Sequence, residues 1–454
     1  MTKNSEKLLT NLFNSSNPYY PLPAGDPLYV DCQEVRGDGN ITKDLGRNIQ
    51  RSEQKTCQLY AGHRGAGKST ELLRLKQYLQ TQGYFVVYFS ADEQDINPED
   101  TEYTDILLAC TRHLLEVIKD ADSKPLRDWM EKRWNDLKDL LLTELSFESL
   151  SLEMQLSQFG KLTANMRAEP SLRQKIREKV NPYTPTLIEA LNEFISAAKK
   201  KLPAKYSQLA VIADNLDKIV PFSKDGGERS NLDEIFLDRN EQLKALDCHV
   251  IYTVPISMVH SNRAADLSNN YNNAPQVLPM IMVRNPGGEV YQAGLAKMKE
   301  VIEKRAKQVA PDLDLETEWF DTKETVEKLC LMSGGHVRNL LLMLQGTINQ
   351  TDDLPITIKA VQRSITNTRD VYRRTVDENN WPILAKVSIT HRILNDKQHR
   401  DLLFNRCILE YHYYDDEDNK QVWYDVHPLI KGILEFKEAV AKLLRDLSDE
   451  TNNN

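Results

Sequence analysis

The chain has 454 residues with 58 basic and 67 acidic side chains, and its net charge of −9 excludes a bulk electrostatic attraction for nucleic acid, leaving only a local basic face for that role. A charged fraction of 28% and the lack of any apolar run of membrane-spanning length predict a cytoplasmic protein with room for two or three domains and no membrane partner. The six cysteines (Cys32, Cys57, Cys110, Cys248, Cys330 and Cys407) form no C-x-x-C pair, which excludes a disulfide framework or zinc ribbon and predicts reduced thiols.

Residues 1–17 are polar and lack the long apolar core of a secretory leader. They are expected to form a loosely held arm. Residues 17–23 (NPYYPLP) and 26–30 are rich in proline and tyrosine, a composition that favours an extended strap. That strap either lines a base pocket or packs without touching ligand. A short helix is expected at 41–51.

The richest stretch follows. Leu59, Tyr60 and Ala61 lead into Gly62-His63-Arg64-Gly65-Ala66-Gly67-Lys68-Ser69-Thr70, which reads G-x-x-x-x-G-K-S, the phosphate-binding P-loop. Glycines at 62 and 67 permit positive φ and let backbone N–H groups wrap a phosphate. Lys68 reaches the β and γ phosphates, and the Ser69 hydroxyl is a ligand for Mg²⁺. Leu72, Leu75 and Leu79 continue at helical spacing until Gly83, so the loop opens a helix whose N-terminus favours an anion. ATP and Mg²⁺ are the expected cofactors. No Asn-Lys-x-Asp motif points to guanine.

The apolar run 84–89 predicts a strand buried on both faces, completing a β-α-β unit. The next strand is expected only at 208–214. Between them lie a helix at 104–119, helical pattern at 125–145, a period-two segment at 150–156 that predicts a hairpin with 161–167, and helices at 171–179 and 185–201. Residues 121–183 are expected as an inserted subdomain.

Strand 208–214 ends on Asp214. An acid at a strand's carboxyl end suits the hydration shell of Mg²⁺. Asp217 either orients an attacking water or is an ordinary turn acid. Residues 223–229 read as a flexible loop, 232–246 as a helix, and 248–255 as a strand. Thr253 there either reports on the γ-phosphate or is simply a strand former. The Asn-rich segment 261–275 predicts a mobile surface loop carrying Arg263, and 276–283 a fifth strand.

After 285 the pattern is helical: 290–309, 322–331, then Ser333-Gly334-Gly335-His336-Val337-Arg338 opening a helix at 339–349. The glycine pair reads as a hinge that swings Arg338 onto a nucleotide. Helices at 356–372, 381–386 and 397–405 precede a hairpin, 407–414 with 421–426, whose tip carries four acids and one lysine. A wing that tracked phosphates would be basic. His427 opens a final helix as a packed or capping residue, and 446–454 reads as a disordered tail.

Taken together, the P-loop, the strand-end acids, the polar strand end, the Gly-Gly-x-x-Arg segment and the helices closed by a hairpin resemble the AAA+ ATPases, most nearly the branch shared by origin-recognition-type initiators and STAND signalling ATPases. The resemblance spans roughly residues 26 to 440. It implies an α/β P-loop core with a five-stranded parallel sheet (26–284), a helical lid (285–350) and a C-terminal winged helix (351–454), behind an arm at 1–25. It implies Walker A residues Lys68 and Ser69, the Walker B acid Asp214, sensor 1 at Thr253, sensor 2 at Arg338, and an arginine finger at Arg263 or, less well placed, Arg239. AAA+ enzymes carry Glu directly after the Walker B acid, whereas Asn215 stands here. The D-x-L-D pattern of Asp214 and Asp217 is instead similar to STAND proteins. The family implies an ATP-dependent switch that assembles with itself or a separate effector protein, in prokaryotic defence or signalling. Two other readings stay open: an ATPase that loads on DNA, and a scaffold that binds nucleotide without hydrolysis.

Overall fold

The computed structural model describes residues 2–141, 145–223 and 229–452. They form two compact units, one of Ile41–Ala61 and Glu71–Val277, the other of Met1–Asn40, Gly62–Thr70 and Leu278–Asn454. Residues 224–228 of the expected flexible loop lie outside the described residues.

The first unit is built on a five-stranded sheet: β1 (Cys57–Gly62), β2 (Tyr84–Ser90), β3 (Gln208–Asp214), β4 (His249–Pro255) and β5 (Gln276–Leu278). Their order is β2-β3-β4-β1-β5. The β2–β3 and β3–β4 pairs are parallel, with Ser90 opposite Asp214 and Ala213 opposite Tyr252. All of β4 and all but the first residue of β3 are buried, which explains their continuous apolar runs. The α/β class and the five strands thus follow the sequence pattern. β4 starts one residue late, and β5 is five residues shorter than expected. Pro279 has no N–H to continue the ladder, and the chain turns away, its Met280 and Met282 N–H groups donating to the carbonyls of Glu410 and Val35.

The described residues of 121–183 are mainly helical and share the core of the sheet, contributing Leu126, Trp129, Met130, Phe159, Leu162 and Ile176 to the same hydrophobic cluster. The hairpin expected at 150–167 does not form. Leu152–Ala168 is one helix, with Ser151 Oγ accepting the Met154 N–H at its start. Leu152 and Met154, half of the period-two pattern, are exposed, whereas Phe159, Leu162 and Met166 are buried at helical spacing. Burial of the second half decided the period. The next helix, Pro170–Val180, is tied to the 100–105 segment: Arg173 and Arg177 reach Asp100 at 2.7 and 2.8 Å, and Arg177 also pairs with Asp105.

The loop expected at 261–275 contains a helix, Ala264–Asn270. Buried Leu267 and Tyr271, four residues apart, anchor it, a pair that the polar composition hides.

The second unit begins with another departure. Residues 1–17 are not a loose arm, because Thr2–Ser15 is a helix with Leu9 and Leu12 buried. Gln345 donates to the Phe13 carbonyl at 3.0 Å and fixes its end. Helices Gln292–Val309, Lys323–Met332, Val337–Ile348, Ile358–Thr375, Trp381–Thr390 and Lys397–Phe404 follow the expected pattern. The hairpin pairs β6 (Ile408–Tyr414) with β7 (Lys420–Val426). The tip is ordered by Asp415, whose carboxylate accepts from the Glu417 and Asn419 N–H groups at 3.1 and 2.9 Å. The last helix, Leu434–Asn452, continues through most of the expected tail. No helix among the described residues is long and apolar enough to cross a membrane, and all six cysteines are free thiols.

Candidate functional site

The P-loop follows β1 and opens the helix Lys68–Thr81. Gly62, Gly65 and Gly67 have φ of +148°, +84° and +110°, the region glycine alone occupies without strain. At Gly62 and Gly65 space forbids a side chain as well. A Cβ on Gly62 would sit 2.7 Å from the Leu278 carbonyl oxygen, and one on Gly65 would sit 2.7 Å from both Arg338 Cβ and His336 Cε1.

Three successive loop carbonyls are held from outside. The Arg64 oxygen lies 2.7 Å from His336 Nε2, the Gly65 oxygen accepts the Arg338 N–H at 3.2 Å, and the Ala66 oxygen accepts from Arg36 Nη2 at 2.7 Å. A trans peptide points its N–H opposite its carbonyl. The N–H groups of Gly65, Ala66 and Gly67 are therefore turned to the other side of the loop. Ala66 N–H closes a turn on the His63 carbonyl at 3.2 Å. No acceptor among the described residues takes the N–H of Gly65 or Gly67. Such a concave run of amides suits a phosphate, so the residues present fit the triphosphate of ATP.

Lys68 is buried, and its Nζ donates to the carbonyls of Gly62 and His63 at 2.8 and 3.0 Å. Reaching a phosphate exchanges these two carbonyls for a charged partner. Ser69 follows at the first turn of the helix, half-buried. Thr70 Oγ1 accepts the Leu22 N–H at 3.1 Å, which ties the proline-rich strap to the start of the P-loop helix. In the same strap the exposed Tyr19 ring lies 5.8 Å from the Arg338 guanidinium. Two of the loop's four variable residues face the C-terminal elements: His63 Nε2 accepts the Glu410 N–H at 3.0 Å, and the Arg64 guanidinium stacks 4.0 Å over Phe404.

Arg338 therefore does sit against the phosphate loop. The glycine pair before it is not a hinge. Gly334 and Gly335 have φ of +61° and +76°; a Cβ on the first would press on Pro428 and Leu409, and one on the second would fall on the Ile281 carbonyl. The pair is glycine because the chain is packed there.

In the sheet unit, Asp214 is fully buried. Its Oδ2 accepts from the Tyr88 hydroxyl and its Oδ1 from the Asn215 N–H, both at 2.7 Å. Asn215 has φ of +65°, in the left-handed region that asparagine tolerates and glutamate resists. The turn geometry thus accounts for Asn where a Glu was expected by resemblance. Thr253 is buried, and its hydroxyl accepts the Leu216 N–H at 2.9 Å, which fastens the end of β4 to the turn after Asp214. Asp217 is buried one residue further along that turn. Arg263 is apart from this group. It stands at the residue before the Ala264–Asn270 helix and pairs with Asp238 and Asp266, both at 3.3 Å. Arg239 lies over the Tyr103 ring at 5.1 Å.

Three residues escaped the sequence reading. Arg36 is buried and gives its other terminal nitrogen to the Pro279 carbonyl at 3.3 Å, while its Nε has no partner among the described residues. Nothing local marks it. Tyr88 lies on the same face as Ser90, the partner of Asp214, and pairing the strands would have exposed that relation. His336 was visible only as a residue preceding Arg338. The Tyr88→Phe variant is expected to lose about 1–2 kcal/mol of stability, one hydrogen bond to a buried carboxylate, in a urea titration. An unchanged midpoint would show that the bond contributes nothing.

Three histidines are held neutral by burial. The His336 pKa lies well below its usual value, with Arg406 and other nearby cations adding to the effect; His427 is lowered to about 3 and His249 to about 4. In the unfolded chain each takes up a proton near pH 6.5, but the folded chain does not. The unfolded state therefore binds more protons as pH falls, and stability drops from pH 6.5 downward. Between pH 7.5 and 5.5 the expected loss is roughly 1 kcal/mol per histidine. Urea midpoints at the two pH values check this, and equal midpoints would contradict it.

No protein-family model and no curated protein sequence matches the chain. Among solved structures it is similar to the Walker-type ATPase PABY2304 of Pyrococcus abyssi (12% identity, 88% of this chain and 97% of that one, TM-score 0.38). It is also similar to Cdc6p of Pyrobaculum aerophilum (11% identity, 95% and 98%, TM-score 0.39) and to the ORC2 protein of Aeropyrum pernix (9% identity, 96% and 98%, TM-score 0.42). At such distances no residue of this chain is paired with one of theirs. What the chain itself carries is an α/β fold with a glycine-shaped phosphate loop.

Proposed function

We propose that the chain is an ATP-binding and slowly hydrolysing molecular switch of AAA+ type, whose nucleotide state controls self-assembly or the binding of a separate effector protein in prokaryotic defence or signalling. The observation that carries this reading is the phosphate loop, with the N–H groups of Gly65 and Gly67 turned to one side and Lys68 and Arg338 beside them. ATP, when bound with Mg²⁺, supplies the phosphate whose charge and cleavage distinguish the two states. Lys68 would neutralise that charge, Ser69 and Asp214 would hold the metal, and Arg338 would register the phosphate. Asp217 takes the water-orienting role for which Asn215 has no acid. Hydrolysis without an adjacent glutamate is slow, which suits a switch better than a motor. Thr253 keeps the Asp214 turn in place. Arg263 would serve a neighbouring copy only after leaving Asp238 and Asp266.

The acidic hairpin tip argues against loading on DNA. Solution mass by light scattering tests the reading, for wild type and Lys68→Ala, with ATP, ADP or no nucleotide, each with and without duplex DNA. A rise in mass with ATP alone, absent in the variant, supports the switch. A rise that requires DNA transfers the reading to a DNA-loading ATPase. Phosphate release that persists in both Asp214→Ala and Asp217→Ala would remove these acids from the mechanism.

A further inference from the structure

We propose that His336 is a positioning residue for the phosphate loop, one ring that both caps the helix carrying Arg338 and holds the loop's Arg64 carbonyl. The inference rests on the reading of the loop as a nucleotide site. His336 precedes the helix Val337–Ile348 with extended backbone, and its Nδ1 accepts the Asn339 N–H at 3.0 Å. An imidazole nitrogen that accepts carries no proton, so the neutral ring is protonated at Nε2. That nitrogen lies 2.7 Å from the Arg64 carbonyl oxygen and donates to it. The two partners select one tautomer and one ring orientation. Burial and the neighbouring cations Arg406 and Arg338 keep the ring neutral, as both bonds require.

The ring is fully buried, and the loop makes room for it at Gly65, where a side chain would strike His336 Cε1. Asn339, whose N–H the ring accepts, is itself held: its amide donates to the Tyr372 hydroxyl at 2.7 Å and contacts His427 Nε2 at 2.9 Å. The ring therefore stands on a fixed base. The Arg64 carbonyl is the first of the three carbonyls turned outward, so holding it sets the N–H of Gly65 on the phosphate side. Asp or Asn in place of His would cap the helix equally well. Only a side chain with a second, more distant donor also reaches the loop. The amino acid at 336 thus couples the registration of Arg338 to the shape of the phosphate site.

Two substitutions separate the roles. His336→Asn keeps an acceptor at the Nδ1 position and loses the donor; His336→Gln keeps a donor at the Nε2 position and loses the cap. ADP and ATP affinities by titration calorimetry, urea midpoints, and amide hydrogen exchange of the 62–67 segment are measured on all three proteins. The expected result is that His336→Asn binds ADP about tenfold more weakly, a change of about 1.4 kcal/mol, exchanges faster at 62–67, and unfolds at a midpoint lowered by the loss of one buried hydrogen bond. His336→Gln should show a lower midpoint with ADP affinity and loop exchange near wild type. Equal affinities and equal exchange in folded His336→Asn and wild type overturn the inference, as does a larger loss of affinity in His336→Gln than in His336→Asn. If the wild type itself binds neither nucleotide, the nucleotide reading fails, and loop exchange still decides whether His336 holds the loop.

Discussion

Replacing Lys68 by alanine is expected to lower ATP affinity roughly a hundredfold, about 3 kcal/mol, while leaving the chain folded. The Lys68 ammonium would bring a full charge on a flexible stem to a phosphate held by this loop, and inside a buried site such a pair is poorly screened. Lys68 Nζ already sits among loop carbonyls, 2.8 Å from Gly62 and 3.0 Å from His63. Moving from these to a phosphate replaces two neutral acceptors with an anionic one. Alanine loses that exchange altogether. Titration calorimetry with ATP and Mg²⁺ gives the answer directly. A variant that binds ATP within threefold of the wild type would show that this loop is not the phosphate site.

The Gly335→Ala substitution should destabilise the protein by about 3–5 kcal/mol, from a left-handed backbone strain of roughly 1–2 kcal/mol and overpacking of similar or larger size. The backbone at φ +76° is one component, and a methyl group driven onto the Ile281 carbonyl is the other. Gly25 and Gly288 separate the two. They have φ of +84° and +85°, and a Cβ at either meets nothing within 4 Å. Alanine at these positions should cost only the backbone strain. Urea unfolding of the three variants tests the packing component. Three equal losses would mean that Gly335 is glycine for its backbone angle alone, and the crowding around it would carry no weight. Because Gly335 adjoins His336, the variant should also lose nucleotide affinity.

Strands β1, β3 and β4 were readable because each is buried along nearly its whole length, and such strands need runs of apolar residues. The P-loop was readable for a related reason. Its backbone must turn through positive φ three times beside a buried cation, and only a few residue types do that. Where the sequence misled, one half of an element contradicted the other. Residues 150–156 alternate with period two, but Leu152 and Met154 lie on the exposed first turn of a helix whose apolar residues are buried from Phe159 onward. The polar segments at 1–17 and 261–275 hide short helices, since Leu9 with Leu12 and Leu267 with Tyr271 are too few to raise the local apolar content. The glycine pair at 334–335 was legible as special and misread as free. A sequence shows that a position lacks a side chain, not what occupies the space instead.

By itself the sequence determined the class of fold, the order of the strands' chain segments, the phosphate loop and the acid at the end of β3. These are local properties, fixed by burial period, by glycine's backbone freedom and by the chemistry of adjacent residues. Only the tertiary structure decided which distant groups shape the site. Arg36, His336 and Arg338 each hold one carbonyl of a loop from which they are separated by some 30 to more than 270 positions. Tyr88 meets Asp214 across a strand pair joined through more than a hundred residues. Arg263 is drawn into ion pairs with Asp238 and Asp266. Hydrogen bonds act over about 3 Å and are indifferent to the length of chain between their partners, so no local pattern in the sequence records them.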